Sequence, residues 1–158
     1  MLGTGVVSHW SMPSRSLWGL TPRESIELEC GRRGTAEVVA CCVALLGRRD
    51  ADDALVFAIG GPAARPVLDG AQQYWLRVWA ARALLYAWDE TARAAVLAAV
   101  LAALTDEAWR VREMAAKVVA RRLIGEALDG VTELRQDPVR RVRLAAERAT
   151  AILTAAEA

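Results

Sequence analysis

Leu76-Arg77-Val78-Trp79-Ala80-Ala81 returns as Val111-Arg112-Glu113-Met114-Ala115-Ala116, and again as Val142-Arg143-Leu144-Ala145-Ala146. The copies start 35 and 31 residues apart. Self-similarity at this period marks an array of stacked helical hairpins. A single hairpin cannot bury its inner face, and each added neighbour extends one core. The recurring residues suit that role. Leu76, Val111 and Val142 fill the layer between copies, and the pairs Ala80-Ala81, Ala115-Ala116 and Ala145-Ala146 let helices approach closely.

Composition points the same way. Hydrophobic residues make up 54% of 158, yet there is one Phe and two Tyr, so Ala, Leu and Val carry the apolar content. Ala loses no side-chain entropy in a helix and Leu loses little, which argues for an all-α chain. The net charge is +1, so no global field calls for nucleic acid or an anionic membrane. Cys30, Cys41 and Cys42 form an odd set without CxxC spacing, read as small buried hydrophobes in a reducing compartment. The longest apolar run, Ala94 to Leu104, is too short for a bilayer, and the N-terminus lacks the pattern of a signal peptide. The expectation is a cytoplasmic protein without a membrane span.

Residues 1–20 are rich in Gly, Ser and Pro and read as an irregular leader, with Trp10 and Trp18 docking on the body and capping its open end. Residues 21–158 read as one helical domain of about four antiparallel pairs, roughly 21–49, 51–88, 90–123 and 125–156. Thr21-Pro22-Arg23-Glu24 predicts a capping box at the first helix start, with Gly31 and Gly34 ending that helix. Thr35 opens a second helix that Gly47 closes. Gly60-Gly61-Pro62 reads as a break, Gln72 to Trp88 as one helix, and Asp137-Pro138 as the start of the last.

Asp106 lies six residues before Arg112, and Asp137 six before Arg143. An Asp at the inter-helix turn followed by Val-Arg in the second helix resembles the HEAT repeat, over residues 51 to 156 and more weakly over 21–50. The resemblance implies a right-handed α-α superhelix in which turn Asp and helix Arg form a ladder between successive repeats. Arg77, Asp106, Arg112, Asp137 and Arg143 then become structural residues. In the Arg77 repeat Ala71 stands where Asp is expected, with Asp69 two residues away.

Little in the chain points to catalysis. The lone histidine, His9, reads as a surface residue, no zinc set can be assembled, and no phosphate loop, GxSxG or HExxH is present. No cofactor or metal is expected, and the chain reads as a non-enzyme. The repeats instead align Trp75 with Arg110 and Arg141, Arg82 with Lys117 and Arg148, and Tyr86 with Arg121. In HEAT-like folds the second helices line the concave surface, so the resemblance implies a cationic, partly aromatic inner face, diluted by Glu113. Trp79 aligns with Met114 and Ala145 as core. Trp88 is expected to pack on the next helix, Trp109 to wedge between repeats, and Trp75 to be exposed at a binding hot spot.

Three uses of that face stay open. It is a plain solvated surface, a scaffold groove for an acidic segment or helix of a protein partner, or a nucleic-acid site. The protein partner is the leading reading. The nucleic-acid alternative draws on the HEAT-like architecture of some alkylpurine DNA glycosylases, whose motif does not map onto these residues. Bilin lyases share the repeat type, but no residue here points to a tetrapyrrole.

Overall fold

The computed structural model describes residues 19–158, and the readings of His9, Trp10, Trp18 and most of the leader lie outside the described residues. Every regular element among the described residues is helical: α1 (Pro22–Arg33), α2 (Thr35–Leu46), α3 (Asp53–Gly60), α4 (Ala64–Leu68), α5 (Tyr74–Ala83), α6 (Arg93–Ala103), α7 (Trp109–Arg122), α8 (Leu128–Glu133) and α9 (Arg140–Glu157). Short 3-10 turns flank α4, α6 and α8. Helices α2, α5, α7 and α9 pack in succession, and α1, α3, α6 and α8 pack in turn against these four. None is long and apolar enough to cross a membrane.

The start of α1 follows from sequence. The Glu24 amide donates to Thr21 Oγ1 at 3.2 Å and the Thr21 amide to Glu24 Oε2 at 2.8 Å, completing the box. Helix ends are less faithful to residue type. Gly31 stays inside α1, and Gly34, at φ 95°, ends it. Gly47 sits at φ −81°, and the left-handed residue closing α2 is Arg48, at φ 61°. The Arg49 amide then bonds the Ala44 carbonyl and the Arg48 amide that of Leu45, a Schellman closure. Leu123 is the left-handed residue closing α7, at φ 52°, where its amide and that of Ile124 both bond the Val119 carbonyl, and Gly125 only opens the next turn.

Helix α5 stops at Ala83, five residues before Trp88, and 3-10-type bonds carry the chain through Tyr86. The Leu84 carbonyl, left outside the helix, accepts instead from Arg122 Nε on α7 at 2.9 Å. Gly60 has a purpose beyond a break. A Cβ there would meet the Trp79 ring at 2.5 Å, so its missing side chain lets the indole lie against α3.

One core runs the length of the stack. It holds Val39, Leu55, Trp79, Leu84, Val111, Ala116, Val142 and Ala146 among others, and Trp79 is the only fully enclosed indole of the described residues. Cys42 is buried, Cys30 and Cys41 are half-buried, and all three are free thiols, with burial pushing each thiol's pKa up.

Along one edge the turn aspartates stitch successive layers. Arg77 grips Asp106 with Nε–Oδ2 at 2.7 Å and Nη2–Oδ1 at 3.1 Å. Arg112 grips Asp137 in the same way, at 2.7 and 3.2 Å, and its Nη1 reaches back to the Asp106 and Glu107 carbonyls. Arg143 donates to the Asp137 and Pro138 carbonyls. Each carboxylate also accepts from an amide beyond it, Ala108 or Val139, which fixes the start of α7 or α9. Burial works to raise both carboxyl pKa values. The arginine bonds, amides and nearby cations outweigh it and hold both below the usual range. Asp69 is exposed and takes no part. At its end of the stack Gln73 instead bonds the Val67 and Ala71 carbonyls.

Candidate functional site

Residues two apart on a helix point about 200° from each other, so Arg110 faces away from Arg112, and Arg141 away from Arg143. The opposite face of α5, α7 and α9 thus carries a second series. Tyr74 and Trp75 stack at 5.4 Å between centroids, and Trp75 and Trp79 at 6.0 Å. The Arg110 guanidinium lies over Trp75 at 5.3 Å and over Trp109 at 4.3 Å, and Arg141 lies over the same Trp109 at 5.4 Å. Rings and guanidinia alternate across three helices, each contact worth roughly 0.5–1 kcal/mol where exposed.

This string ends at a carboxylate. The Glu113 side chain is only 9% exposed, and its Oε1 accepts from Arg141 at 3.1 Å and pairs with Lys117 at 3.2 Å. Glu113 is the buried anchor of the stripe rather than a diluting surface charge. Beyond it a groove of about 660 Å³ opens between α7 and α9. Lys117, Arg121, Arg141 and Arg148 stand around it, and Ala120, Leu144, Ala145 and Ile152 give it an apolar floor. Leu144 is 46% exposed there. Arg121 and Arg148 have no ion pair or hydrogen bond among the described residues, whereas Lys117 and Arg141 share Glu113.

The eight residues singled out from sequence therefore divide. Lys117, Arg121, Arg141 and Arg148 meet in the groove. Arg110 joins it through Trp109, with its charge over two rings. Trp75 is half-buried among Tyr74, Trp79 and Arg110 rather than exposed, because α5 turns its aromatic end onto α7; its edge meets a smaller cavity of about 320 Å³ beside α4. Arg82 is not on this surface. It turns inward to donate to the Ile59 carbonyl at 2.6 Å, its Nε is enclosed without a partner, and burial lowers its pKa. Tyr86 is half-buried, follows the end of α5, and does not line the groove.

Trp109 does lie between layers, under Arg110 and Arg141. Trp88 faces Arg122 on α7 and donates to Glu90. Sequence reasoning missed Glu113 as an anchor and Leu144 as the exposed floor. Leu144 carried a signal: it is an aliphatic residue out of phase with the buried stripe Val142, Ala145, Ala146, Ala149 and Leu153.

Chemically, the groove can hold an anionic, partly apolar surface. Among the described residues no His, Cys, Asp and Glu are grouped so as to hold a metal ion. No protein-family model, no curated protein and no solved structure matches this chain.

Proposed function

We propose that the chain is a HEAT-type interaction module, a right-handed α-α superhelix of about four antiparallel pairs, and that its second-helix face binds a protein partner rather than catalysing a reaction. The repeat reading is supported by the successive packing of α2, α5, α7 and α9 and by the two Arg–Asp rungs at equivalent turns. The α7–α9 groove carries the functional reading: four cations around an apolar floor suit an acidic segment or helix. The free thiols suit a reducing, cytoplasmic setting. Base stacking has less to recommend it, since guanidinia already lie over the Trp75 and Trp109 rings.

Leu144 and Leu28 are a matched pair for a test, 46% and 47% exposed on α9 and α1 respectively. A photo-crosslinking residue at Leu144, expressed in living cells, is expected to give a discrete protein adduct that the same residue at Leu28 does not give. Reversing Lys117, Arg121 and Arg148 to Glu is expected to remove it. An adduct that nuclease digestion destroys, or one equally strong at both positions, overturns the reading.

A further inference from the structure

The groove is not electrically uniform along its length. At the end nearer the helix starts, Glu113 is shared by Arg141 and Lys117, so one of those two positive charges is already offset and both cations have an internal partner. At the other end Arg121 and Arg148 face the same opening with no carboxylate among the described residues to meet them. Glu113 and Lys117 lie four residues apart on α7, as do Lys117 and Arg121, so all three share a side of that helix. Leu144 sits between Arg141 and Arg148 on α9 and leaves its aliphatic side chain half in water.

From these observations we infer that the groove takes an acidic amphipathic helix in one orientation, with its carboxylates against Arg121 and Arg148, one large aliphatic residue on Leu144, and neutral residues beside Glu113. The inference rests on the partner-binding reading above and adds the partner's chemistry and direction. Length fits a helix. At about 1.5 Å per residue, Glu113 to Arg121 spans roughly 12 Å and Arg141 to Ile152 roughly 16 Å, room for about three turns. Charge complementarity favours acid at the Arg121–Arg148 end, where each carboxylate gains a charge-assisted contact without displacing an internal partner. At the other end an added carboxylate meets Glu113, a buried like charge. Glu113 acts as a polarity filter.

The test is a displayed library of amphipathic twelve-residue helices with Asp, Glu, Gln or Lys allowed at each polar position, selected on the full chain. The wild-type protein is expected to enrich acids at one end of the peptide by roughly tenfold, the size one charge-assisted contact carries. R121Q/R148Q is expected to abolish that enrichment, and E113Q to allow acids at both ends. Leu144→Arg, which blocks the floor, is expected to abolish selection. If L144R selects the same peptides as wild type, the groove is not the binding site and both readings fail. If L144R abolishes selection but acids fall evenly along the peptide in wild type and E113Q alike, the groove binds and the polarity inference alone is overturned. Melting curves of the variants establish that each is folded.

Discussion

Replacing Asp137 by Ala removes three contacts at once. The side chain is 4% exposed, grips Arg112 through both oxygens, and accepts from the Val139 amide that starts α9. Stranding one partner of a buried pair costs about 3–5 kcal/mol. Arg112 is 14% exposed and keeps the Asp106 and Glu107 carbonyls, which puts the loss near the lower bound. Losing the hydrogen bond from the Val139 amide adds about 1 kcal/mol. The expected sum is about 4 kcal/mol, which for a domain of this size lowers the melting temperature by roughly 8–16 °C. Arg112→Met strands the carboxylate instead and is expected to cost about 3 kcal/mol. The double variant leaves no unpaired buried charge, so the single losses should overlap by about 2 kcal/mol. Arg143→Met is the control, because Arg143 binds only two carbonyls and should cost less than half as much as Arg112→Met. Thermal and urea unfolding read all four variants. Additive losses in the double variant, or an R143M loss equal to that of R112M, would show that the rungs are surface decoration and refute the reasoning.

Three further outcomes follow from single positions. Gly60→Ala drives a methyl into the Trp79 ring at 2.5 Å and is expected to destabilise by about 1–3 kcal/mol, read as a lower urea midpoint; an unchanged midpoint would mean the indole can move aside. Leu123→Gly relieves a left-handed backbone at a half-exposed site and is expected to raise the melting temperature slightly, by roughly 0.5 kcal/mol of stability, whereas Leu123→Val should lower it. Asp52 is held down to about 2, by the Arg33 side chain first and by the Leu55 amide, against the opposing effect of burial. A carboxylate whose folded pKa is depressed stabilises above its unfolded pKa and stops doing so as pH falls through the folded value. Stability should therefore decline between about pH 5 and pH 2, with a shallower decline in Asp52→Asn; equal slopes would remove Asp52 from the account.

The all-helical character was legible because it depends on helix-forming composition and apolar periodicity, which stretches such as Val-Arg-x-x-Ala-Ala display directly. The α1 start was legible because Thr21 and Glu24 act on each other within four residues. Helix ends were less so, where the freed backbone groups are taken up by a distant side chain. Arg122 takes the Leu84 carbonyl across 38 residues of chain, and no local pattern near Trp88 announces it. Arg48 and Leu123 adopt a conformation that their residue types disfavour, and only Gly47, beside Arg48, is the residue type expected to close α2. In the groove, four of the eight chosen residues share one opening, since Lys117 and Arg121 lie four residues apart on α7 and Arg141 and Arg148 seven apart on α9. Arg82 could not be read as inward-facing, since its partner is a backbone carbonyl on another helix.

Arginine does opposite things on the two sides of the same helices, and the supply of carboxylates decides which. On the turn side, Arg77 and Arg112 each meet an aspartate on the next layer, so those charges are spent internally. On the groove side, Arg110 is held by rings and Arg141 by rings and Glu113. Past Glu113, Arg121 and Arg148 line the same groove with no ion pair among the described residues. Repetition alone therefore generates the cations, but it does not make a binding site. On the proposed reading, a partner's acids meet the protein where internal carboxylates give out among the described residues, next to an aliphatic side chain that the core did not take up. Glu113 marks that boundary, which is why exchanging this one carboxylate for an amide should alter the direction of binding more than its strength.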